Sequence, residues 1–209
     1  MFGIAIVLAL VLASDLPSLK IEGLPTISGL SSGGFAAVQY QVSFSSELAG
    51  AGILAAGPYY CAQSSLSTAL TACTVEPLAL NLDASLEETR NCVAAGECDD
   101  SRNLSNHTVW LFSGTVDFTV NPQVVQALEK YYQEFIKDES RILTKFDLAA
   151  THCFPTVRYG SFCSLFGSPF INKCDYDGAF EMLNALYGGG LREPVQPIQD
   201  NVRLSSNLY

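Results

Sequence analysis

A serine flanked by glycines lies near the beginning of the sequence, in the stretch TISGLSSGGFAAVQY at residues 26–40. Ser31 is the central residue of a G-x-S-x-G pattern that runs from Gly29 to Gly33. A serine attacks ester carbonyls when a sharp turn between a strand and a helix exposes its hydroxyl and a base takes its proton. The same pattern also occurs as an ordinary turn of small residues. Its interpretation therefore depends on the elements around it and on a base elsewhere in the chain.

Two histidines are available as the base, His107 and His152. His107 lies inside a glycosylation sequon just before a predicted strand, which favours an exposed loop histidine without a catalytic role. His152 follows another predicted strand, and α/β sheets place their sites in the loops at the carboxyl ends of strands. We therefore expect His152 to take the proton of Ser31.

An acid is also needed, to orient the histidine. Asp117 comes three residues after Gly114, where a buried strand is predicted to end. Five other aspartates have simpler interpretations as solvated loop residues or helix caps: Asp99, Asp100, Asp147, Asp175 and Asp177. The order Ser31, Asp117, His152 is that of α/β-hydrolases. In this arrangement the backbone N–H of Ser32 stabilises the oxyanion.

The elements that must position these residues begin with a strand, a turn, a helix and a second strand. Residues 19–28 supply one short strand, and the recurrence of Phe35, Val38 and Val42 predicts a helix with one apolar face. Residues 49–57 are a run of small apolar residues that is typical of a buried strand. Together these predict one βαβ unit around Ser31.

The rest of the chain continues the alternation. Ser85 and Glu88 form a capping box that predicts a helix from there to about residue 95. Asn121 followed by Pro122 predicts the start of another helix. We also expect loops at residues 58–80 and 96–108, strands at 108–114 and 141–149, and a final helix at 177–187. Strands alternating with helices predict an α/β fold with a mostly parallel sheet and flanking helices.

Composition limits the classes of partner. The 209 residues are 48% hydrophobic and 15% charged, which suits one domain with a substantial core. The formal net charge of -10 argues against nucleic acid and anionic membranes, because both attract basic patches. Neither histidine has zinc-like spacing to a cysteine pair. We therefore predict a neutral substrate, no metal and no cofactor.

The N-terminal segment predicts export. An apolar run from Phe2 to Ala13 is shorter than the roughly 20 residues that a transmembrane helix needs. Val11 and Ala13 are small residues at the -3 and -1 positions of a cleavage site, which predicts a signal peptide over residues 1–13 and a secreted protein free of the membrane. No Lys or Arg precedes Lys20. A buried first strand or a truncated N-terminus is therefore the alternative.

The seven cysteines agree with an extracellular protein. Neighbours in sequence suggest the disulfides Cys61–Cys73, Cys92–Cys98 and Cys163–Cys174, although the sequence leaves other connectivities open. Cys153 is then left over, as a free thiol or one without its partner. Two adjacent sequons, at Asn103 and Asn106, are candidate glycosylation sites on a surface loop.

Four stretches resemble the extracellular polyhydroxybutyrate (PHB) depolymerase family, in the type with an early nucleophile. They are SGLSSGGFAAVQYQVSFSSELAGAGILAAGPYYCA, LFSGTVDFTV, THCFPT and SPFINKCDYDGA. The resemblance covers about residues 20–190, so we expect a catalytic α/β-hydrolase-like region at 14–190 and an irregular tail at 191–209. It implies Ser31 as nucleophile, Asp117 as acid and His152 as base, in hydrolysis of short-chain hydroxyalkanoate esters through an acyl-enzyme.

The resemblance also implies an unusual chain order. Members of this type look like circularly permuted α/β-hydrolases, in which the strands that usually precede the nucleophile follow the histidine. A C-terminal half then supplies a second oxyanion N–H and part of the polymer-binding surface. This sequence stops at Tyr209, where that half is expected to begin. The leftover Cys153 and the lack of a predicted strand before residue 20 agree with an incomplete sheet.

Three functions follow from these residues. The first is a secreted serine esterase that acts on poly(3-hydroxybutyrate) or related esters. The second is an enzyme of the same fold for another ester, such as a cutinase-like, feruloyl or acyl-glycerol esterase, because triad residues do not choose among substrates. The third is an inactive fragment or remnant domain.

Overall fold

A four-stranded parallel sheet forms the centre of the computed structural model, which describes residues 23–193. Its strands are β1 (Thr26–Leu30), β2 (Gly50–Leu54), β3 (Thr108–Phe112) and β4 (Ile142–Lys145), and they lie side by side in chain order. Leu30 pairs with Leu54, Leu54 with Phe112, and Phe112 with Lys145. The carboxyl ends of all four strands therefore meet at one edge of the sheet, and the loops that leave them are neighbours.

Four helices lie in the connections between the strands of this sheet, and a fifth follows the last strand of the described residues. They are α1 (Ser32–Ser43), α2 (Leu66–Leu70), α3 (Leu82–Ala95), α4 (Pro122–Phe135) and α5 (Gly178–Leu186). Within residues 23–193, none of them is long and apolar enough to span a bilayer. The α/β fold with a mostly parallel sheet and flanking helices is thus confirmed.

The sheet is buried on both faces, as parallel sheets usually are. On one face Ile53 and Leu111 pack against α1 and α4. On the other, Trp110 and Phe112 pack against Met182 of α5. This alternation explains why β2 consists of apolar or glycine residues with no polar position, since neither face of the strand meets water.

The start of α4 shows how a short signal defines an element. The side chain of Asn121 accepts a hydrogen bond from the backbone N–H of Gln123, and Pro122 occupies the first helical position. The apolar face expected for this helix is buried, with Leu128 and Tyr131 completely inaccessible to solvent. The predicted start of α4 is confirmed.

A second, three-stranded sheet was not foreseen. Its strands are β5 (Phe154–Thr156), β6 (Ser161–Phe162) and β7 (Ile171–Lys173), in the order β5-β7-β6 and all parallel. The buried side chain of Asn172 donates to the carbonyls of Cys163 and Leu165 at 3.2 and 2.8 Å. These bonds hold the loop after β6 over the carboxyl edge of the main sheet.

Two local expectations were wrong. Helix α3 begins at Leu82, because Asn81 caps it by accepting from the N–H of Ala84 at 3.0 Å. Ser85 therefore lies inside the helix, buried, and does not form the predicted capping box. Residues 58–80 are also not entirely loop, since they contain α2 and a 3₁₀ turn at Pro77–Ala79. The predicted signal peptide and most of the predicted tail lie outside the described residues.

The expectation for His107 was wrong as well, because only 3% of this residue is exposed. The amide of Gln41 links it to Tyr132: its oxygen accepts from the Tyr132 hydroxyl at 2.6 Å, so its nitrogen donates to His107 Nδ1 at 3.0 Å. His107 Nε2 then carries the proton and donates to the carbonyl of Ser45 at 3.0 Å. His107 is therefore a neutral structural residue that joins α1, α4 and the chain before β3.

Protonation of His107 is expected to destabilise the fold. Burial lowers the pKa of His107 below its ordinary value of 6.5, so the unfolded chain gains a proton at a higher pH than the folded chain. The stabilisation is present above about pH 6.5 and is lost as the pH falls, with a slope of at most about 1.4 kcal/mol per pH unit. Urea midpoints of wild type and His107→Gln at pH 7 and pH 5 measure this. The variant should lose less stability than wild type, and equal losses would contradict the assignment.

Candidate active site

Ser31 occupies a strained turn between β1 and α1. Its backbone has φ 58° and ψ -124°, a combination that residues other than glycine rarely adopt. The N–H of Ser31 donates to the carbonyl of Leu54 at 2.9 Å, and its carbonyl accepts from the N–H of Phe35 at 2.9 Å. The end of β2 and the first turn of α1 therefore hold the turn from both sides, as a nucleophile elbow requires.

Close backbone contact explains two of the glycines at this turn. A Cβ on Gly29 would lie 2.2 Å from the carbonyl group of Gly33. A Cβ on Gly34 would lie 2.9 Å from the carbonyl oxygen of Leu54. A Cβ on Gly33, in contrast, would meet nothing within 4 Å. The first glycine of G-x-S-x-G is thus needed for packing, and the second is not.

Asp117 and His152 form a buried hydrogen-bonded pair. Asp117 Oδ2 lies 2.8 Å from His152 Nδ1, and only 5% of each residue is exposed. The other carboxylate oxygen, Oδ1, accepts from the N–H groups of Thr119 and Val120 at 2.8 and 3.0 Å. The carboxylate is thereby fixed in direction, and it orients the imidazole so that Nε2 is free to act as a base.

The loops that carry this pair are joined to each other by backbone bonds. Thr115 donates to the carbonyl of Leu148 at 2.8 Å, and Val116 donates to that of Ala150 at 3.2 Å. The two loops touch at Gly114, where a Cβ would lie 2.0 Å from the carbonyl oxygen of Ala150. The segments after β3 and β4 therefore continue side by side, which brings Asp117 to His152.

Ser31 and His152 line the same cavity at the carboxyl edge of the sheet. It has a volume of about 490 Å³, and its remaining walls are Leu30, Thr119, Phe166, Pro169 and Phe170. The structure shows no hydrogen bond between the Ser31 hydroxyl and the imidazole of His152. Catalytic hydrogen bonds often close only when substrate is bound. Proton transfer therefore requires a rearrangement of these side chains inside the cavity.

The aromatic walls were not foreseen from the sequence. Phe166 packs edge-on against Phe170 at 5.6 Å between ring centroids, and Phe170 packs edge-on against the His152 ring at 6.3 Å. Both phenylalanines lie inside the loop closed by the disulfide Cys163–Cys174. A disulfide loop rich in aromatic residues soon after the predicted base was the signal that could have indicated them.

The N–H of Ser32 has no acceptor among the described residues. Ser32 is the first residue of α1, where the N–H groups are unpaired and the helix dipole favours negative charge. It directly follows Ser31, so attack of the Ser31 hydroxyl on an ester would place the former carbonyl oxygen of that ester near this N–H. The arrangement supplies one donor for that oxygen.

Three disulfides join neighbouring cysteines: Cys61–Cys73, Cys92–Cys98 and Cys163–Cys174. The leftover Cys153 is a buried free thiol next to His152. Burial, together with the negative charge of Asp117, raises the pKa of Cys153 to about 11. It is therefore a packing residue without nucleophilic character. No group of three potential metal ligands occurs in residues 23–193.

The two candidate glycosylation sites lie in the 3₁₀ segment Ser101–Asn106. Asn106 is exposed, whereas Asn103 is half-buried and donates its amide to the hydroxyl of Ser45 at 3.3 Å. Attachment of glycans at either residue stays a prediction.

The parallel sheet, the strained serine turn and the Asp–His pair define an α/β-hydrolase-like domain with the architecture of a serine hydrolase. No protein-family model matches the sequence. Among curated proteins, it is 42% identical over 178 residues to a poly(3-hydroxybutyrate) depolymerase of Delftia acidovorans, covering 84% of this chain and 36% of the relative. It is 31% identical over 192 residues to a PHB depolymerase of Talaromyces funiculosus, covering 88% of this chain and 54% of the relative.

Two solved structures agree with these relatives. The PHB depolymerase of Penicillium funiculosum has a TM-score of 0.76 and 27% identity, over 88% of this chain and 57% of that one. A PHB depolymerase with a serine-to-alanine substitution, in complex with an R3HB trimer, has a TM-score of 0.74 and 28% identity, over 84% and 55%. Over 84–88% of its length the chain is therefore similar to PHB depolymerases. It spans between about a third and slightly more than half of the length of these relatives.

The unequal roles of the two glycines can be tested with a matched pair of variants. Gly29→Ala inserts a methyl group into backbone that cannot move far, and we expect a loss of at least about 2 kcal/mol in the free energy of unfolding. Gly33→Ala lies in the first turn of α1 with free space, and should change stability by less than about 1 kcal/mol. Urea unfolding of both variants measures the difference. Equal losses would show that the close approach at Gly29 is not limiting.

Cys153 should resist alkylation in the folded protein. With a pKa of about 11, about one Cys153 in a thousand is a thiolate at pH 8, and the side chain is also inaccessible. Mass spectrometry should find the Cys153 peptide unmodified after iodoacetamide treatment of native protein, and modified after treatment in urea without reductant. Rapid native labelling would contradict the buried, protonated thiol.

Proposed function

We propose that this chain carries the catalytic serine, acid and base of a secreted esterase that hydrolyses poly(3-hydroxybutyrate) or related short-chain hydroxyalkanoate esters. The observation that carries the proposal is the buried pair of Asp117 and His152, whose imidazole lines the same cavity as Ser31. Its support is chemical, because a serine nucleophile needs a fixed imidazole and an oxyanion donor. The His152 imidazole lines the same cavity as Ser31, and the unpaired N–H of Ser32 follows Ser31 directly in the chain.

Acylation starts with proton transfer from the Ser31 hydroxyl to Nε2 of His152. The Ser31 oxygen attacks the ester carbonyl, and the resulting oxyanion accepts a hydrogen bond from the N–H of Ser32. Asp117 stabilises the imidazolium through Nδ1 without taking its proton. The tetrahedral intermediate collapses when the bond to the alcohol oxygen breaks. His152 gives its proton to that oxygen, and the alcohol leaves.

Deacylation repeats the same steps with water. His152 removes a proton from a water molecule, whose oxygen attacks the acyl carbon on Ser31. The new tetrahedral intermediate releases the serine oxygen, which takes the proton back from His152. The hydroxyacid leaves, and the three side chains return to their starting protonation states.

The surroundings of the cavity suit a neutral, largely apolar polyester. Phe118 is 65% exposed, and its ring lies 4.9 Å from that of Phe166 at the cavity wall, between ring centroids. Clustered exposed aromatic side chains commonly mark a binding surface. The relative that binds an R3HB trimer supports the same substrate class.

Secretion is part of the proposal. Three disulfides in residues 23–193 fit an oxidising compartment, and the apolar segment at residues 1–13 fits a signal peptide.

Replacement of the nucleophile provides the direct test. In the full-length gene product, Ser31→Ala should lower the rate on p-nitrophenyl butyrate by about 10⁴-fold or more, because acylation needs the hydroxyl. Ser28→Ala, at an exposed serine on the same strand, is the control and should keep the rate. A fluorophosphonate should add its mass to the peptide that contains Ser31. Activity that survives in a folded Ser31→Ala variant would reject the proposal.

Substrate class is tested in the same preparation by clearing of a poly(3-hydroxybutyrate) film. Clearing that depends on Ser31 supports the depolymerase. Hydrolysis of soluble esters without clearing would instead favour an esterase for other substrates.

A further inference from the structure

A second cavity lies between helix α1 and the segment that follows β2. It has a volume of about 440 Å³, within the range of roughly 300–1,000 Å³ that is usual for small-molecule pockets. It shares no lining residue with the cavity of Ser31 and His152. Ser31 lines the first cavity and the next residue, Ser32, lines the second. Consecutive residues at the start of α1 therefore line two different cavities.

Helix α1 forms one wall of this second cavity. Ser32, Phe35 and Gln39 are spaced three and four residues apart, so they project from one face of the helix. That face begins at the oxyanion donor.

The opposite wall is a lobe tied together by the disulfide Cys61–Cys73. Three lobe residues that line the cavity have positive φ: Tyr60 at 55°, Gln63 at 48° and Ser64 at 56°. This conformation is uncommon for residues other than glycine, and such strain tends to cluster at binding and catalytic sites. The backbone of the lobe is thus bent into a shape that its residues would not adopt by local preference.

The geometry points to this second cavity as the pocket for the acyl chain of the substrate, on the basis of the esterase function proposed above. In the tetrahedral intermediate, the leaving alcohol must face His152, which protonates it. The oxyanion faces the N–H of Ser32. The acyl chain takes the remaining direction, away from His152. That direction leads to the cavity that begins at Ser32.

The chemistry of the walls indicates the kind of acyl chain. Phe35, Ala62 and Ala69 supply apolar surface, and no Asp, Glu, Lys or Arg lines the cavity. The amides of Gln39 and Gln63 supply neutral donors and acceptors. The pocket therefore suits an uncharged aliphatic acyl chain that carries a hydroxyl or a further ester oxygen, and it disfavours a chain that ends in a free carboxylate.

Filling the cavity should shorten the range of acyl chains that the enzyme accepts. Ala69→Phe in the full-length gene product places an aromatic ring at the cavity wall. We expect kcat/KM for p-nitrophenyl hexanoate to fall about 10-fold or more relative to that for the acetate. Ala94→Phe, at an exposed alanine near the end of α3, is the matched control and should leave that ratio unchanged.

Two further variants keep the test decisive if Ala69→Phe does not fold. Ala62→Leu fills the same cavity with a smaller group and should shift the ratio in the same direction. Phe35→Ala enlarges the cavity and should shift the ratio toward longer chains.

A variant in the first cavity serves as a comparison. Phe166→Ala should change the dependence on the leaving alcohol across a series of butyrate esters and leave the acyl preference unaltered.

The outcomes separate the pocket from the function. Suppose that the wild-type protein hydrolyses esters, and that the folded filling and enlarging variants show the same acyl preference as wild type. This result would overturn the assignment of the pocket and leave the proposed function standing. So would a filling variant that slows all esters equally, or an acyl preference that follows Phe166→Ala. A wild-type protein that hydrolyses no ester would overturn the proposed function and the pocket together.

Discussion

The close contact between Gly29 and Gly33 is the constraint on which the candidate site depends. These glycines flank Ser31, and the chain reverses so tightly between β1 and α1 that their backbones touch. The bond from the Ser31 N–H to Leu54 ties this reversal to the neighbouring strand. Because the turn is held at both ends, Ser31 keeps a strained backbone conformation that presents its side chain to one cavity and leaves the next N–H unpaired. The other side chains of the site must then reach a point that the backbone has already defined.

The parallel sheet makes this possible without long connections. Since all four strands run in the same direction, the loops after β1, β3 and β4 leave from one edge. The loop with Asp117 and the loop with His152 stay hydrogen-bonded to each other beyond the ends of their strands. Asp117 also binds two N–H groups of its own loop. The Asp–His pair is therefore a rigid unit set beside the serine turn, and the remaining movement lies in the side chains.

Where the sequence carried a local signal, the prediction of the fold was confirmed. The start of α4 depends on Asn121 and Pro122, which act within one helical turn. The burial of β2 follows from its own sequence, which consists only of glycine and apolar residues. Ser85 was misread because a capping box also depends on where the preceding chain lies, and Asn81 provides a better cap. His107 was misread because its neighbours in sequence are polar, which suggests an exposed loop. The residues that bury it, Gln41 and Tyr132, are distant in the chain. The short strands β5–β7 carry too few residues to show a period.

By itself, the sequence determined the order of the candidate residues, the alternation of strands and helices, and the resemblance to PHB depolymerases. These are properties of residue type and spacing, which the chain carries before it folds. Only the tertiary structure decided that His107 is buried against Gln41 and Tyr132, that Phe166 and Phe170 line the cavity of Ser31 and His152, and that a second cavity opens beside Ser32. Each of these depends on contacts between segments far apart in the chain. Sheet register and helix packing create such contacts, and no local pattern of residues records them.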